Sequence, residues 1–540
     1  MEILIGLIAL LFTTVAMVVI GERTGLPWPA LLAVVTAAAI FFPWMPSVDI
    51  PADMMLPIFI PPLLWALARR TSWASIKRNW RSVFFLAILL TIITAVTVGA
   101  VAYWLVGPLS LAGALVLGAA ISPPDPVAVD AVAEPAGVPR RLTATLQTEG
   151  LFNDAASIVV FNLALQVLTG GEAVGWGEAV LTFFYSAGAA FLLGVVIGRL
   201  AAWGANFCMD PVSRNALTWV IPFATYVAAE EIHASGVIAV VIAAIVFNGR
   251  LEVGAEDRLS GSAFWEVVEL LFTGVAFGLI GLSARDAIEQ VGSQLWHAVW
   301  LGAVLSLVAF LVRLVWLYGL YVFKSRTGSR TGAPLRLQEV LLLAWAGMRG
   351  LVTLALVLSV PATAGFSLYH ELPVIALVVL LFTMVIPGLT LPWLMRRLNL
   401  HKGPDPFGDN AREELVARAR AAATRAMNRH SKSLPPEALE SIRGRFLEET
   451  HTHEEDEAES VEEKQRKMRA KARKFQEIQV EALKASQSEL LRARRERNMD
   501  PAVVDDVLYE IDAQLLVAEK RLEHKREEHP PKASTSMLEG

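Results

Sequence analysis

About thirteen stretches of this chain are apolar over roughly the length needed to cross a bilayer, and no other feature constrains its fold as much. They run near 3–20, 28–45, 54–68, 82–106, 110–133, 143–170, 177–200, 215–231, 234–249, 262–282, 291–323, 337–361 and 372–395. In hydrocarbon every backbone polar group must find a partner inside the protein, so such runs are helices. With 54% hydrophobic residues and a mean hydropathy of +0.49, the sequence predicts an all-α, polytopic membrane protein. The first run, Ile3 to Ile20, has neither a basic leader nor a small-residue cleavage site and reads as a retained helix. A single cysteine, Cys208, excludes an internal disulfide.

Loop charges give the orientation, because Lys and Arg near helix ends favour the cytoplasm. The loops after the odd-numbered runs carry Arg23; Arg69, Arg70, Lys77, Arg78 and Arg81; Arg140 and Arg141; Arg199 and Arg214; Arg250 and Arg258; Lys324, Arg326, Arg330 and Arg336; and Arg396, Arg397 and Lys402. The other side has Arg285 alone. The N-terminus is therefore expected outside and the C-terminal tail in the cytoplasm. Only an odd number of spans gives this alternation.

Two runs break the regularity expected of spanning helices. Ser122-Pro123-Pro124-Asp125-Pro126 cannot continue a helical hydrogen-bond ladder. Gly347-Met348-Arg349-Gly350 places a cation between two helix-weakening glycines. Carbonyls freed at membrane depth survive where they line a cavity or meet a partner, as in the interrupted helices of transporters. The fifth and twelfth runs stand seven apart, the spacing of an inverted repeat.

Buried polar residues mark the chemistry. Asp154, in Glu149-Gly150-Leu151-Phe152-Asn153-Asp154-Ala155-Ala156-Ser157, is an acid in an apolar helix with no basic neighbour in sequence. A charge there costs roughly 3 kcal/mol on insertion scales, so such residues usually face a wet cavity and handle ions or protons. Glu149 lies five residues earlier, about 140° around a continuous helix, and is the natural structural partner of Arg313 or Arg349. Those two cations are expected to be paired or to neutralise helix C-terminal carbonyls. Asp125 either belongs to the site or caps the half-helix that follows the proline break. Glu230, Glu231 and His233 read as a solvated helix end, and His451 and His453 as part of an acidic solvated run rather than a metal site.

Asp125-Pro126-Val127-Ala128-Val129, Glu149 through Ala155, and Gly347-Met348-Arg349-Gly350 together resemble the signature segments of the monovalent cation/proton antiporters, in the electroneutral sodium/proton exchanger branch of bacterial type. Lesser matches are Gly25-Leu26-Pro27, Pro61-Pro62-Leu63-Leu64, Ser235 through Val241 and Phe277 through Leu282. The resemblance covers residues 1–402 and implies thirteen helices, two of them discontinuous and crossing, with a core domain moving against a dimer domain. It implies a secondary active antiporter, not an enzyme, in the cell (inner) membrane. Such a protein exchanges Na⁺ (or K⁺ or Li⁺) for H⁺ as a homodimer in the lipid bilayer, in pH and sodium homeostasis.

In that resemblance Asp154 binds cation or proton, Asn153 and Asp125 stabilise the site, Glu149 pairs with Arg313, and Arg349 sits near the crossing. Two positions depart from the family pattern. Pro124 stands where Thr is usual and leaves only its backbone carbonyl, and Gly150 stands where Ser is frequent. Ser157, Ser122 or water is then expected to supply the missing oxygen. Since Asn153 cannot titrate, one cation per proton is expected.

Residues 403–540 read as a cytosolic helical tail rich in Glu, Lys, Arg and Ala, with a hinge at Ser431 to Pro436 and apolar positions recurring from Ile478 to Leu522. It is either a regulatory or dimer-bridging module or a partly ordered extension. Its near-balanced charge argues against nucleic-acid binding, and no cofactor signature is present. An intramembrane aspartyl protease would show Tyr-Asp and Gly-x-Gly-Asp contexts, which Asp125 and Asp154 lack, and a cation channel would need no protonatable carrier.

Overall fold

The computed structural model describes residues 2–24, 26–38, 52–71, 73–125, 129, 138–170, 176–208, 210–251, 254–327, 334–398, 406–429, 461–494, 496, 499 and 501–527. All regular secondary structure among them is helical. The chain divides into two compact units, one of residues 1–251 and 264–405, the other of residues 252–263 and 406–540. His451, His453 and the Ser431 to Pro436 hinge lie outside the described residues.

The first unit begins with α1 (Glu2–Thr24), α2 (Trp28–Ala38) and α3 (Ala52–Ala68). Next come α4 (Trp73–Ser82), which runs through a π-helical stretch into α5 (Leu90–Leu105), then α6 (Leu111–Ile121), α7 (Arg140–Gly150) and α8 (Asn153–Leu168). The middle holds α9 (Trp176–Phe207), α10 (Pro211–Glu231), α11 (Gly236–Arg250), α12 (Ala255–Val291) and α13 (Leu295–Thr327). The last are α14 (Leu337–Trp345), α15 (Leu351–Leu358), α16 (Leu372–Leu380) and α17 (Ile386–Leu398), the final pair joined by π-helical Leu381–Val385. Each predicted apolar run overlaps one of these helices. Among the described residues, seven helical spans are long and apolar enough to cross a membrane, and three shorter apolar helices accompany them.

Local chemistry sets the ends. Ser110 accepts the Gly113 N–H at 3.0 Å and starts α6, Ser235 accepts the Ile238 N–H at 3.3 Å and starts α11, and Asp210 with Pro211 starts α10. Small residues then let backbones approach, which drives helix association where burial of apolar surface gives no gain over lipid. A Cβ on Gly118 of α6 would overlap the Ala95 carbonyl oxygen of α5, so alanine there would push the pair apart. Large apolar side chains such as Phe12, Trp104, Leu181, Trp296 and Val315 are exposed, as suits a surface covered by lipid or by a partner protein. Glu230, Glu231 and His233 are exposed at the end of α10.

The second unit packs α18 (Pro406–Arg429), α19 (Val461–Ala493) and α20 (Pro501–Glu527) around Leu415, Leu490, Val504, Val507 and Leu508. A second cluster joins Val480, Leu483, Leu515 and Leu522 to Ala255. Buried Asp512 accepts Arg258 at 2.5 and 2.7 Å and Gln487 at 2.7 Å. The first turns of α12 thus belong to this unit, which hydropathy alone did not reveal.

Candidate functional site

Two helix interruptions meet and satisfy each other. After Ile121 the backbone through Ser122, Pro123, Pro124 and Asp125 is non-helical, and after Trp345 the helix opens until Leu351. The Asp125 N–H donates to the Met348 carbonyl at 2.7 Å, and the Leu351 N–H donates to Asp125 Oδ2 at 3.3 Å. Asp125 therefore reaches across and caps α15. Arg349 Nη1 donates to the Ser122 carbonyl at 2.6 Å, a helix C-terminal carbonyl that the proline break leaves without a helical donor. The crossing is steric as well as polar. A Cβ on Gly350 would overlap Asp125 Oδ2, closer than any side chain tolerates. Gly350→Ala is expected to separate the two breaks and abolish transport even where protein reaches the membrane; exchange by that variant above about a tenth of the native rate, measured in vesicles, would contradict a tight crossing.

The segment carrying Asp154 is itself interrupted. A continuous helix was expected from Glu149 to Ser157, but α7 ends at Gly150, Leu151 and Phe152 form a turn, and α8 starts at Asn153. Gly150, weak in a helix interior, was the available sequence signal. Asp154 thus sits in the first turn of α8, where the helix dipole favours an anion. Asn153 Nδ2 donates to the Pro124 carbonyl at 2.5 Å, while its Oδ1 accepts the Asp154 N–H at 2.7 Å. Ser157 Oγ donates to the Ala119 carbonyl at 2.8 Å, tying α8 to the end of α6 and leaving oxygen lone pairs. Asp154 is only 4% exposed, and its Oδ1 has no hydrogen-bond partner among the described residues. An isolated carboxylate oxygen in such a place calls for a proton or a cation.

Arg313 stands apart from that oxygen. Its Nη2 donates to Glu149 Oε2 at 2.9 Å, its Nη1 to Glu149 Oε1, and its Nε to the Leu343 carbonyl at 2.9 Å. Both partners are almost fully buried, and this bidentate geometry is what makes a buried pair tolerable. Gly347 gives the arginine room, since a Cβ there would lie 2.5 Å from Arg313 Cδ and Nε. The residues alone left Glu149 a choice of two arginines, the family resemblance implied Arg313, and in the structure it pairs with Arg313. One contributor went unnoticed in the sequence. Thr383, in the π-helical stretch before α17, accepts the Arg349 backbone N–H at 3.2 Å while donating to the Val379 carbonyl at 2.7 Å. Its signal was a lone hydroxyl in Leu381-Phe382-Thr383-Met384-Val385; π-helical insertions are frequent at functional sites.

Interrupted membrane helices that meet beside a buried, partly unsatisfied carboxylate are the arrangement of the ion sites of secondary transporters. The transmembrane sodium/hydrogen exchanger family model matches residues 6–397, and the chain belongs to that family. It is 31% identical over 431 residues to the Na(+)/H(+) antiporter ApNhaP of Aphanothece halophytica, covering 78% of each chain. It is 27% identical over 506 residues to the uncharacterized Na(+)/H(+) exchanger YjcE of Escherichia coli, covering 86% of this chain and 89% of that one. The fold is similar to that of the sodium proton antiporter MjNhaP1 from Methanocaldococcus jannaschii, with a TM-score of 0.57 at 18% identity over 74% of this chain and 99% of that one.

Proposed function

We propose that the protein exchanges Na⁺ for H⁺ at Asp154, one cation for one proton. The observation that carries this reading is the buried Asp154 carboxylate with Oδ1 left unpaired beside the crossing. Its surroundings are hard oxygen donors: the Pro124 carbonyl held by Asn153, the Ser157 hydroxyl and the carboxylate itself. Such a set suits a small alkali cation, and protonating the carboxylate removes the charge that holds it. Cation and proton then compete for one group, and competition for a shared carrier is what couples their movements.

Stoichiometry follows from which neighbours titrate. Asn153 carries no charge in either state, and the Asp125 carboxylate is engaged by the α15 N-terminus. Replacing Na⁺ by H⁺ therefore leaves the charge carried across the membrane unchanged. The reading includes thirteen spans, a moving core with a separate dimer domain, a homodimer in the cell membrane, and a cytoplasmic tail. K⁺ or Li⁺ in place of Na⁺ is the same reading with a different cargo.

Proteoliposomes loaded with a pH dye test it. An outward Na⁺ gradient is expected to acidify the lumen, and an imposed potential of about 100 mV is expected to leave the rate and the end point unchanged. Transfer of one net charge per cycle would shift the equilibrium by about 2.3 kcal/mol at that potential. A shift of that size would rule out the one-for-one scheme.

A further inference from the structure

We propose that a cavity beside the helix crossing is a binding site for a long-chain fatty acid, which enters sideways from the bilayer and places its carboxylate on Arg349. The cavity, about 450 Å³, lies within the membrane unit between α13 and the Leu381–Leu398 helix. That volume falls in the range of small-molecule sites, roughly 300–1,000 Å³. Ala303, Leu307 and Phe310 line it from α13, and Phe382 and Ile386 from the opposite helix. Leu307, Phe382 and Ile386 are also exposed on the apolar outer surface, so the mouth opens towards lipid tails rather than water. Arg313 and Arg349 contribute to its lining as well.

The two cations differ in what they still lack. Arg313 is engaged through Nε, Nη1 and Nη2 with Glu149 and Leu343. Arg349 gives Nη1 to the Ser122 carbonyl, but its Nε is buried without a hydrogen-bond partner among the described residues. Among the described residues Glu149 forms its ion pair with Arg313, and no carboxylate forms one with Arg349. The cavity therefore offers an apolar wall, a positive charge and a spare donor. An occupant that answers all three has a hydrocarbon body and an anionic acceptor at one end.

A carboxylic acid fits better than a phospholipid headgroup. It can cross hydrocarbon in its neutral form and ionise against a guanidinium, whereas a phosphodiester is charged throughout and stays at the interface. The charge-assisted bond formed with Arg349 is among the stronger hydrogen bonds available to a side chain. Because the same guanidinium holds the Ser122 carbonyl at the crossing through Nη1, an acid held on its spare Nε pins that side chain in place and slows the transport cycle. This last step rests on the exchange reading above; the binding does not.

The full chain in phosphatidylcholine nanodiscs, labelled with a diazirine-bearing palmitate and mapped by mass spectrometry, tests the site. Crosslinks are expected within residues 295–327 and 381–398, competed at least about tenfold better by palmitate than by methyl palmitate, which lacks the charge. Ala303→Phe, which fills the cavity, and Leu307→Trp, which narrows its exposed mouth, are each expected to cut this labelling at least about fivefold. Labelling spread evenly over lipid-facing helices, equal competition by the ester, or undiminished labelling of both variants would overturn the assignment.

Sodium counterflow without a pH gradient, to which the proton-carrying of the free acid does not contribute, reads the coupling. Palmitate is expected to slow it at least about threefold in the native protein and not in Leu307→Trp. Specific labelling with unchanged counterflow would overturn the coupling to the crossing. Absence of counterflow before palmitate is added would count against the exchange reading and leave the binding result standing.

Discussion

Replacing Asp154 by Asn is expected to lower cation/proton exchange by on the order of 100-fold or more, because the amide neither releases a proton nor supplies the negative charge that draws the cation. The same change is expected to leave folding intact. Asp154 contributes its backbone N–H to Asn153 Oδ1, a contact the substitution keeps, and its side-chain Oδ1 makes no hydrogen bond that would be lost. Removing an unpaired acid from the membrane interior relieves a desolvation cost, so the midpoint of thermal unfolding in detergent should stay level or rise. The decisive measurement pairs exchange in proteoliposomes with that midpoint on one preparation. Substantial exchange by a well-folded Asp154→Asn variant would take the carrier role away from this residue.

Glu149→Gln is expected to have the opposite signature, with stability lost first. The Arg313 guanidinium is buried, and its carboxylate partner accepts from both Nη atoms. Removing one member of a buried pair leaves an uncompensated charge and typically costs about 3–5 kcal/mol. A fall in the thermal midpoint and loss of assembled protein should therefore accompany any loss of transport. The double variant Glu149→Leu with Arg313→Leu tests the cause. Replacing both charges by apolar groups should recover most of the loss, short of the roughly 1 kcal/mol carried by the hydrogen bond to the Leu343 carbonyl. If the double variant is as unstable as Glu149→Gln, the damage comes from lost packing and not from the orphaned charge.

The two carboxylates of the Glu149 to Ser157 stretch differ in environment: Glu149 is paired with Arg313, whereas Asp154 Oδ1 has no hydrogen-bond partner among the described residues. Sequence spacing already suggested that they face different ways, but through an argument about a continuous helix that the structure replaces. The turn at Leu151 and Phe152 separates Asp154 from the helix that carries Glu149. Asp125 shows a second limit of local reading. Capping was anticipated, yet the helix capped is α15, whose Leu351 is 226 residues away. Of the side-chain oxygens expected to compensate for Pro124 and Gly150, the Ser157 and Ser122 hydroxyls both donate to the Ala119 carbonyl, at 2.8 and 2.9 Å. Each of these hydroxyl oxygens keeps a lone pair.

What the sequence determined by itself were the properties that hydrocarbon imposes residue by residue. Apolar runs of spanning length force helices, three prolines in four positions force a break, and an acid without a local partner forces a functional question. These are local consequences of desolvation and backbone geometry, and no tertiary knowledge is needed to reach them. Tertiary structure decided the pairings. Arg313 meets Glu149 across 164 residues, and Arg349 meets Ser122 across 227. Thr383 was brought to the Arg349 backbone by a π-helical stretch that hydropathy does not encode. Hydropathy is nearly blind to which helix lies beside which, because lipid and a neighbouring helix are equally apolar. The choice is made by close steric fit at glycines such as Gly118, Gly347 and Gly350, and by the few polar groups that hydrocarbon will not leave unpaired.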